Sequence, residues 1–208
     1  MDIDLARTWV QAIAAAVDQH KDHLTQLDSA IGDADHGINM QRGFSAATAA
    51  LAGLEPDTVG AVLVKTGTTL ISTVGGASGP LYGGAFRAIG KTLDAPTVTP
   101  GQFAAALADG LASVQKLGAA APGDKTMIDA YAPALAAFQQ QAEAGADLAA
   151  AALAAADAAE NGMRATTPMQ ARKGRASYLG ARSIGHQDPG ATSTALIFRT
   201  LAETAVAR

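Results

Sequence analysis

The chain has 208 residues, 49% of them apolar, with a formal net charge of -4 and a pI near 5.5. That much apolar content excludes a disordered chain, and the acidic balance excludes one built chiefly to neutralise nucleic-acid phosphates. Cysteine is absent, which removes disulfides, thiolate metal sites and cysteine nucleophiles. The opening Met1-Asp2-Ile3-Asp4-Leu5 is acidic where a secretory signal would be basic. The longest apolar stretch, Leu148 to Ala156, falls short of the roughly 20 residues that span a bilayer. The expectation is a cytoplasmic protein with no membrane and no nucleic-acid partner.

In chain order, Leu5, Trp9, Ala12, Ile13, Ala16 and Val17 form one stripe of an opening helix. Helical spacing then predicts segments near 37–52, 57–74, 80–93, 100–117, 126–143, 147–165 and 191–206. Thr99-Pro100 has the signature of a capped helix start, Asp57 and Asp147 are cap candidates, and Gly53 and Gly118 can end the segments they follow. The alanine-rich tract from Ala144 to Ala159 keeps a stripe of Leu148, Ala152 and Ala155, with Asp147, Asp157 and Glu160 left for solvent. It reads as a packed helix. No segment alternates like a strand. The fold class expected is all-α, a single domain of about eight antiparallel helices over 1–208.

Three clusters interrupt the helices. The first is Leu27-Asp28 through Gly32-Asp33-Ala34-Asp35-His36-Gly37-Ile38-Asn39, read as a glycine-punctuated loop between two helices. Its three carboxylates would repel one another without a cation among them, and hard oxygen donors favour Mg²⁺. An EF-hand loop fails, because Gly37 stands at its third ligand position and Phe44 where the bidentate glutamate belongs. A solvated acidic turn capping the next helix is the plain alternative. The second cluster, Gly75-Gly76-Ala77-Ser78-Gly79-Pro80-Leu81, offers backbone amides and a hydroxyl before a helix, but lacks the Gly-Lys-Ser/Thr ending of a Walker loop. The third runs from Lys173 to Gly190. Arg164, Arg172, Lys173, Arg175 and Arg182 precede or enter it with no acid between Arg164 and Arg182, which would balance phosphate charge or simply form a solvated basic face.

These clusters, with Gly123-Asp124-Lys125-Thr126-Met127, resemble the ADP-binding L subunits of dihydroxyacetone kinases over nearly the whole chain. The resemblance implies an eight-helix antiparallel barrel with the nucleotide, ADP or ATP, in the loops at one end. It implies that Asp28, Asp33 and Asp35 bind two Mg²⁺ ions, and that His36, Gly37, Ile38, Asn39, Ala77, Ser78 and Gly79 approach the phosphates. Ile38 is a variable position in the family pattern, so no role attaches to its side chain. Gly118 and Met127 would border the base, while Arg175, Asp188, Pro189 and Gly190 complete the nucleotide site. The similar nucleotide domain of fatty-acid kinases usually carries threonine where this chain has His36.

Phosphoryl transfer needs the moving charge neutralised and the two oxygens held in line. The aspartates therefore read as metal ligands, and Arg175, Ser78 and the 75–79 backbone as charge stabilisers. By the resemblance, dihydroxyacetone is held on a separate K subunit, and bound ADP is rephosphorylated in place by a phosphohistidine M subunit of the phosphotransferase system. Rival readings are a subunit of an ATP-dependent triose or tetrose kinase, a nucleotide-sensing module docking on a regulator, and a carrier for apolar ligands. A homodimer is compatible with the sequence.

Overall fold

A computed structural model describes residues 1–208. Eight α-helices follow one another: α1 (Ile3–Ile31), α2 (His36–Ala52), α3 (Val59–Thr73), α4 (Ser78–Lys91), α5 (Pro100–Gly118), α6 (Ile128–Glu143), α7 (Leu148–Ala165) and α8 (Pro189–Val206). A short 3₁₀ segment, Arg175–Ser183, stands between α7 and α8. Each helix packs on its neighbours in sequence, and α8 returns to α1, which closes the ring into a barrel. The expected all-α barrel is what forms, and no helix is long and apolar enough to cross a membrane.

The barrel is filled from every helix. Trp9 of α1 lies 5.6 Å from Phe86 and 6.0 Å from Phe103, between ring centroids. Phe44 meets Phe86 at 5.9 Å, Phe103 meets Phe138 at 5.7 Å and Tyr131 meets Phe198 at 5.3 Å. Polar tips among these rings find backbone partners: the Trp9 indole donates to Ile197 O at 3.0 Å and the Tyr131 hydroxyl to Leu107 O at 3.0 Å. That satisfaction matters because an orphaned buried donor costs about 1–3 kcal/mol. The alanine-rich α7 buries Ala151, Ala152, Ala155, Ala156 and Ala159. Small side chains there let it lie close against α6 and α8. Asp157, exposed as expected, and the partly exposed Glu160 also hold Arg199 of α8, each at 2.7 Å.

Glycines between α3 and α4 serve packing. A side chain at Gly60, Gly67, Gly83 or Gly90 would drive into the backbone of the facing helix, so these two helices approach closely along their length.

Because neighbouring helices run antiparallel, the junctions fall alternately at the two ends of the barrel. Residues 32–35, 74–77, 119–127 and 166–188 gather at one end. Residues 53–58, 92–99 and 144–147 gather at the other, with both chain termini. At this second end each odd-numbered helix is capped by its own preceding side chain, Asp2, Thr58, Thr99 or Asp147. Thr99 forms the expected capping box with Gln102. Thr58 caps α3 in place of Asp57, accepting from Ala61 N at 3.0 Å. Gly53 ends α2 as anticipated. Gly118 is still helical, and Ala119 at φ 46° takes the left-handed position.

Candidate functional site

All the clusters singled out from sequence meet at the first end, around an open cavity of about 190 Å³. Asp28 is not in a loop. It lies in the last turn of α1, which runs further than the acidic stretch suggested, to Ile31. The helix fixes Asp28 firmly, and the loop that follows folds its other carboxylates back onto it. Oxygens of Asp28, Asp33 and Asp35 all come within 4.8 Å of one another. Asp28 Oδ2 accepts from Asp35 N at 2.9 Å and His36 N at 3.2 Å, so it also serves the first amides of α2. Gly32 is required beside it, since any side chain there would collide with the Asp28 carboxylate. Ala34 at φ 62° turns the loop, a left-handed conformation uncommon for a residue with a Cβ.

Charge repulsion in this cluster is met in part by Arg175, whose guanidinium lies 2.9 Å from Asp33 Oδ2. Both side chains remain substantially exposed, at 68% and 36%. The pair is therefore weakly held, and a cation already stands where the sequence demands one. The donor set is three carboxylates and no nitrogen or sulfur, which fits a hard ion such as Mg²⁺.

Helix starts meet the same cavity. The helices α2, α4 and α6 begin just after Asp35, Ala77 and Met127, none of which gives a side-chain cap. The first α2 amides go to Asp28 and the Ile128 amide to Thr126 Oγ1 at 3.2 Å, which leaves the start of α4 open. The starts of α4 and α6 reach the cavity through Ala77, Ser78, Thr126 and Met127. Uncapped amides and the positive ends of helix dipoles suit an anion. The same cavity thus offers carboxylates for cations and helix-start amides for anions, as a metal-bound polyphosphate requires.

His36 is buried and bridges two helices. Its Nδ1 lies 3.2 Å from Ser78 Oγ and its Nε2 2.8 Å from Ser193 Oγ. Burial holds the imidazole below its ordinary pKa, outweighing the pull of Asp28, Asp35 and Asp33, so it is a neutral spacer between two hydroxyls. The Tyr82 hydroxyl continues the network, donating to Gly190 O at 2.8 Å, with Ser193 and Thr194 hydroxyls at 2.7 and 2.9 Å. Burial raises its pKa, keeping it protonated. Asp188 caps α8 by accepting from Ala191 N at 2.7 Å. Burial pushes its carboxyl up to about 7, against the Ala191 amide and Lys125, with Asp129 and Asp28 adding repulsion.

Of the residues expected at the site, Asp28, Asp33, Asp35, His36, Ala77 and Ser78 line the cavity. So do Met127, Arg175, Asp188, Pro189 and Gly190. Gly37, Ile38, Asn39, Gly79 and Gly118 do not. Gly37 lies against the α1 backbone at Lys21 and Gly79 against Val74 O, where each is needed for close packing. Ile38 is 55% exposed, Asn39 accepts from Arg42, and Gly118 abuts Leu81, itself a wall of the cavity.

The family model described as the DAK2 domain matches residues 30–203. The chain belongs to the DAK2-domain family. It is 44% identical over 205 residues to the Escherichia coli K12 protein named PEP-dependent dihydroxyacetone kinase, ADP-binding subunit DhaL, covering 96% of this chain and 98% of that one. A Listeria innocua relative, ADP-binding subunit DhaL of PEP-dependent dihydroxyacetone kinase 1, is 42% identical over 205 residues, covering 99% and 98%. Among solved structures, the dihydroxyacetone kinase from C. freundii in complex with AMP-PNP and Mg²⁺ superposes with a TM-score of 0.75 at 29% identity. The match covers 96% of this chain and 34% of that longer one. The sequence resemblance to dihydroxyacetone kinase L subunits is thereby borne out.

Lys173, Gly174, Thr126 and Leu81, quoted in the sequence motifs without individual roles at the nucleotide site, line the cavity, as does Tyr82. Ser193, which fixes His36, was not singled out. Three consecutive hydroxyls, Thr192-Ser193-Thr194, inside an apolar helical pattern were the available signal. Lys125 and Asp129 were also missed. The Asp129 carboxylate accepts from Gly123 N at 2.5 Å and Thr126 N at 2.8 Å, which folds the turn before α6.

Proposed function

We propose that this chain is the nucleotide-carrying subunit of a dihydroxyacetone kinase. It would hold ADP or ATP with two Mg²⁺ ions, act in the cytoplasm, and pass a phosphoryl group to dihydroxyacetone held on a partner K subunit. The observation that carries the reading is the convergence of Asp28, Asp33 and Asp35 within 4.8 Å on a cavity that the uncapped start of α4 also lines. The E. coli and Listeria relatives, named as ADP-binding subunits of PEP-dependent kinases, support the nucleotide and the PEP dependence, and the C. freundii complex with AMP-PNP and Mg²⁺ supports the metal.

Asp28, Asp33 and Asp35 would hold the metals, which when bound draw charge from the phosphate oxygens. Amides of Ala77 and Ser78 and the Ser78 hydroxyl would bind phosphate oxygens directly. Arg175 would leave Asp33 as metal enters and turn to the transferring phosphoryl group. In the forward step the bond from phosphorus to the ADP oxygen breaks and one to a sugar hydroxyl oxygen forms, with that hydroxyl's proton leaving to the partner. In the return step the phosphorus–nitrogen bond of a phosphohistidine M subunit breaks, and ADP, never released, regains its terminal phosphoryl.

The test is triose-phosphate formation with K subunit present, driven either by ATP alone or by phosphoenolpyruvate through the M subunit. The relay is expected to sustain turnover, with little from ATP alone and none without the K subunit. Strong turnover on ATP alone would reject the coenzyme role of ADP, and turnover by the isolated chain would reject the partner-held sugar.

A further inference from the structure

Between α7 and α8, residues 166–188 form a strap that closes on itself. Gly185 N donates to Thr167 O at 2.8 Å, Asp188 N to Thr166 Oγ1 at 3.0 Å, and Ala171 N to Ser183 Oγ at 2.9 Å. A small apolar contact of Ile31, Ala171 and Ala176 ties it to α1. The strap carries Arg175 at the cavity mouth and ends at Asp188 on the cavity wall.

Lys125 reaches into it from the opposite loop. Its side chain is 1% exposed, and Nζ donates to Thr166 O at 2.9 Å, Met169 O at 3.1 Å, Ser183 O at 2.8 Å and also His186 O. An ammonium has three protons, so four carbonyls surround it as they would a spherical ion. Carbonyl cages of that kind replace the hydration shell of potassium. Two of the oxygens belong to the strap's first residues and two to its last. Lys125 itself sits at φ 62°, a left-handed conformation costly for a lysine. That strain is maintained by Asp129, which grips both sides of the turn through Gly123 N and Thr126 N, and by Arg172 N donating to Asp124 O at 3.0 Å. Burial works against the ammonium and Asp188 works for it.

We propose that Lys125 is a positioning residue whose ammonium serves as a built-in monovalent cation, gathering both ends of the strap so that Arg175 and Asp188 are set against the cavity. Its effect on nucleotide rests on the function proposed above; its effect on the strap does not. Removing the side chain should leave a carbonyl cage that accepts NH4⁺ or K⁺ from solution.

The experiment compares the wild-type chain with Lys125→Gly and Lys125→Met, in tetramethylammonium chloride and in equal concentrations of NH4Cl or KCl. Glycine relieves the positive φ and opens the cage; methionine fills the space and strands the oxygens. Two readouts are taken: hydrogen exchange of amides 167–187, and Mg-ADP affinity. In tetramethylammonium, Lys125→Gly is expected to lose strap protection and at least tenfold in Mg-ADP affinity. NH4⁺ or K⁺ should restore both severalfold in Lys125→Gly, and neither in Lys125→Met nor in the wild type. Loss in Lys125→Gly that no cation relieves would overturn the proposal, as would unchanged strap exchange. If Lys125→Gly does not fold, Lys125→Gln takes its place, keeping two donors without the charge; wild-type strap protection in that variant would equally overturn it. A wild-type chain that takes up no Mg-ADP would sink the proposed function, while the exchange data would still decide the role of Lys125.

Discussion

The two ends of this barrel solve the same problem, ending helices, in opposite ways. At the end with the chain termini, loops pair with one another through backbone. Val98 N donates to Met1 O at 2.8 Å, Val59 N to Ala95 O at 2.9 Å and Gly60 N to Leu93 O at 2.8 Å, while α1, α3, α5 and α7 are capped by neighbouring side chains. At the other end the residues before α2, α4 and α6 give no such cap, and of the four helices that start there α8 alone has one, from Asp188. All three non-glycine residues with positive φ, Ala34, Ala119 and Lys125, sit there too. Strain collects there beside the open amides of the α4 start, where a ligand can use them, and the closed end supplies compensating stability.

The comparison predicts that substitutions at the two ends separate into different observables. The largest effect is expected at the acidic cluster: Asp33→Asn or Asp35→Asn should weaken Mg-ADP retention at least a hundredfold. Asp147→Ala, a cap at the closed end, should leave retention unchanged and cost about 1 kcal/mol of stability. Equal effects on retention, measured by equilibrium dialysis of radiolabelled ADP, would erase the distinction between the ends.

Asp188 gives the next largest effect. Its carboxyl, ordinarily near 3.8, is raised to about 7 by burial in the fold. A folded value above the unfolded one means the native state holds the proton more tightly. The associated stability is full below about pH 4 and is lost as pH rises towards 7, at a slope on the order of 1 kcal/mol per pH unit. Asp188→Asn keeps a capping oxygen and should flatten that part of the profile, which urea unfolding of the metal-free protein from pH 4.5 to 7.5 would show. An unaltered slope would mean Asp188 is ionised throughout.

The smallest effect expected is thermal. Prolonged chelation should lower the melting temperature by several degrees, because a ligand bound only to the native state stabilises it by mass action. Thr58→Ala should lower the melting temperature similarly with and without chelator, since its cap is remote from the metal.

Much of this contrast was legible in the residues. Asp28, Asp33 and Asp35 stood out because like charges so close in sequence need a cation, and Asp147 and Thr99 because capping is local chemistry. What was hidden depends on distance along the chain. Lys125 finds its carbonyls 41 to 61 positions away, and Ser193 lies 157 from His36, so neither could be paired from spacing. Gly37 and Gly79 show the same dependence: that each admits neighbouring backbone, at Lys21 and Val74, could not be read until the neighbour was known.

The central claim is that the end with uncapped helices holds nucleotide through the three aspartates. Native mass spectrometry of the purified chain, loaded with Mg-ADP and then desalted, tests it most directly. Wild type should retain one ADP with two Mg²⁺ ions, Asp35→Asn should emerge as bare polypeptide, and Asp147→Ala should match wild type. A wild-type chain that emerges bare, or an Asp35→Asn chain that keeps its ADP and both metals, would contradict the account.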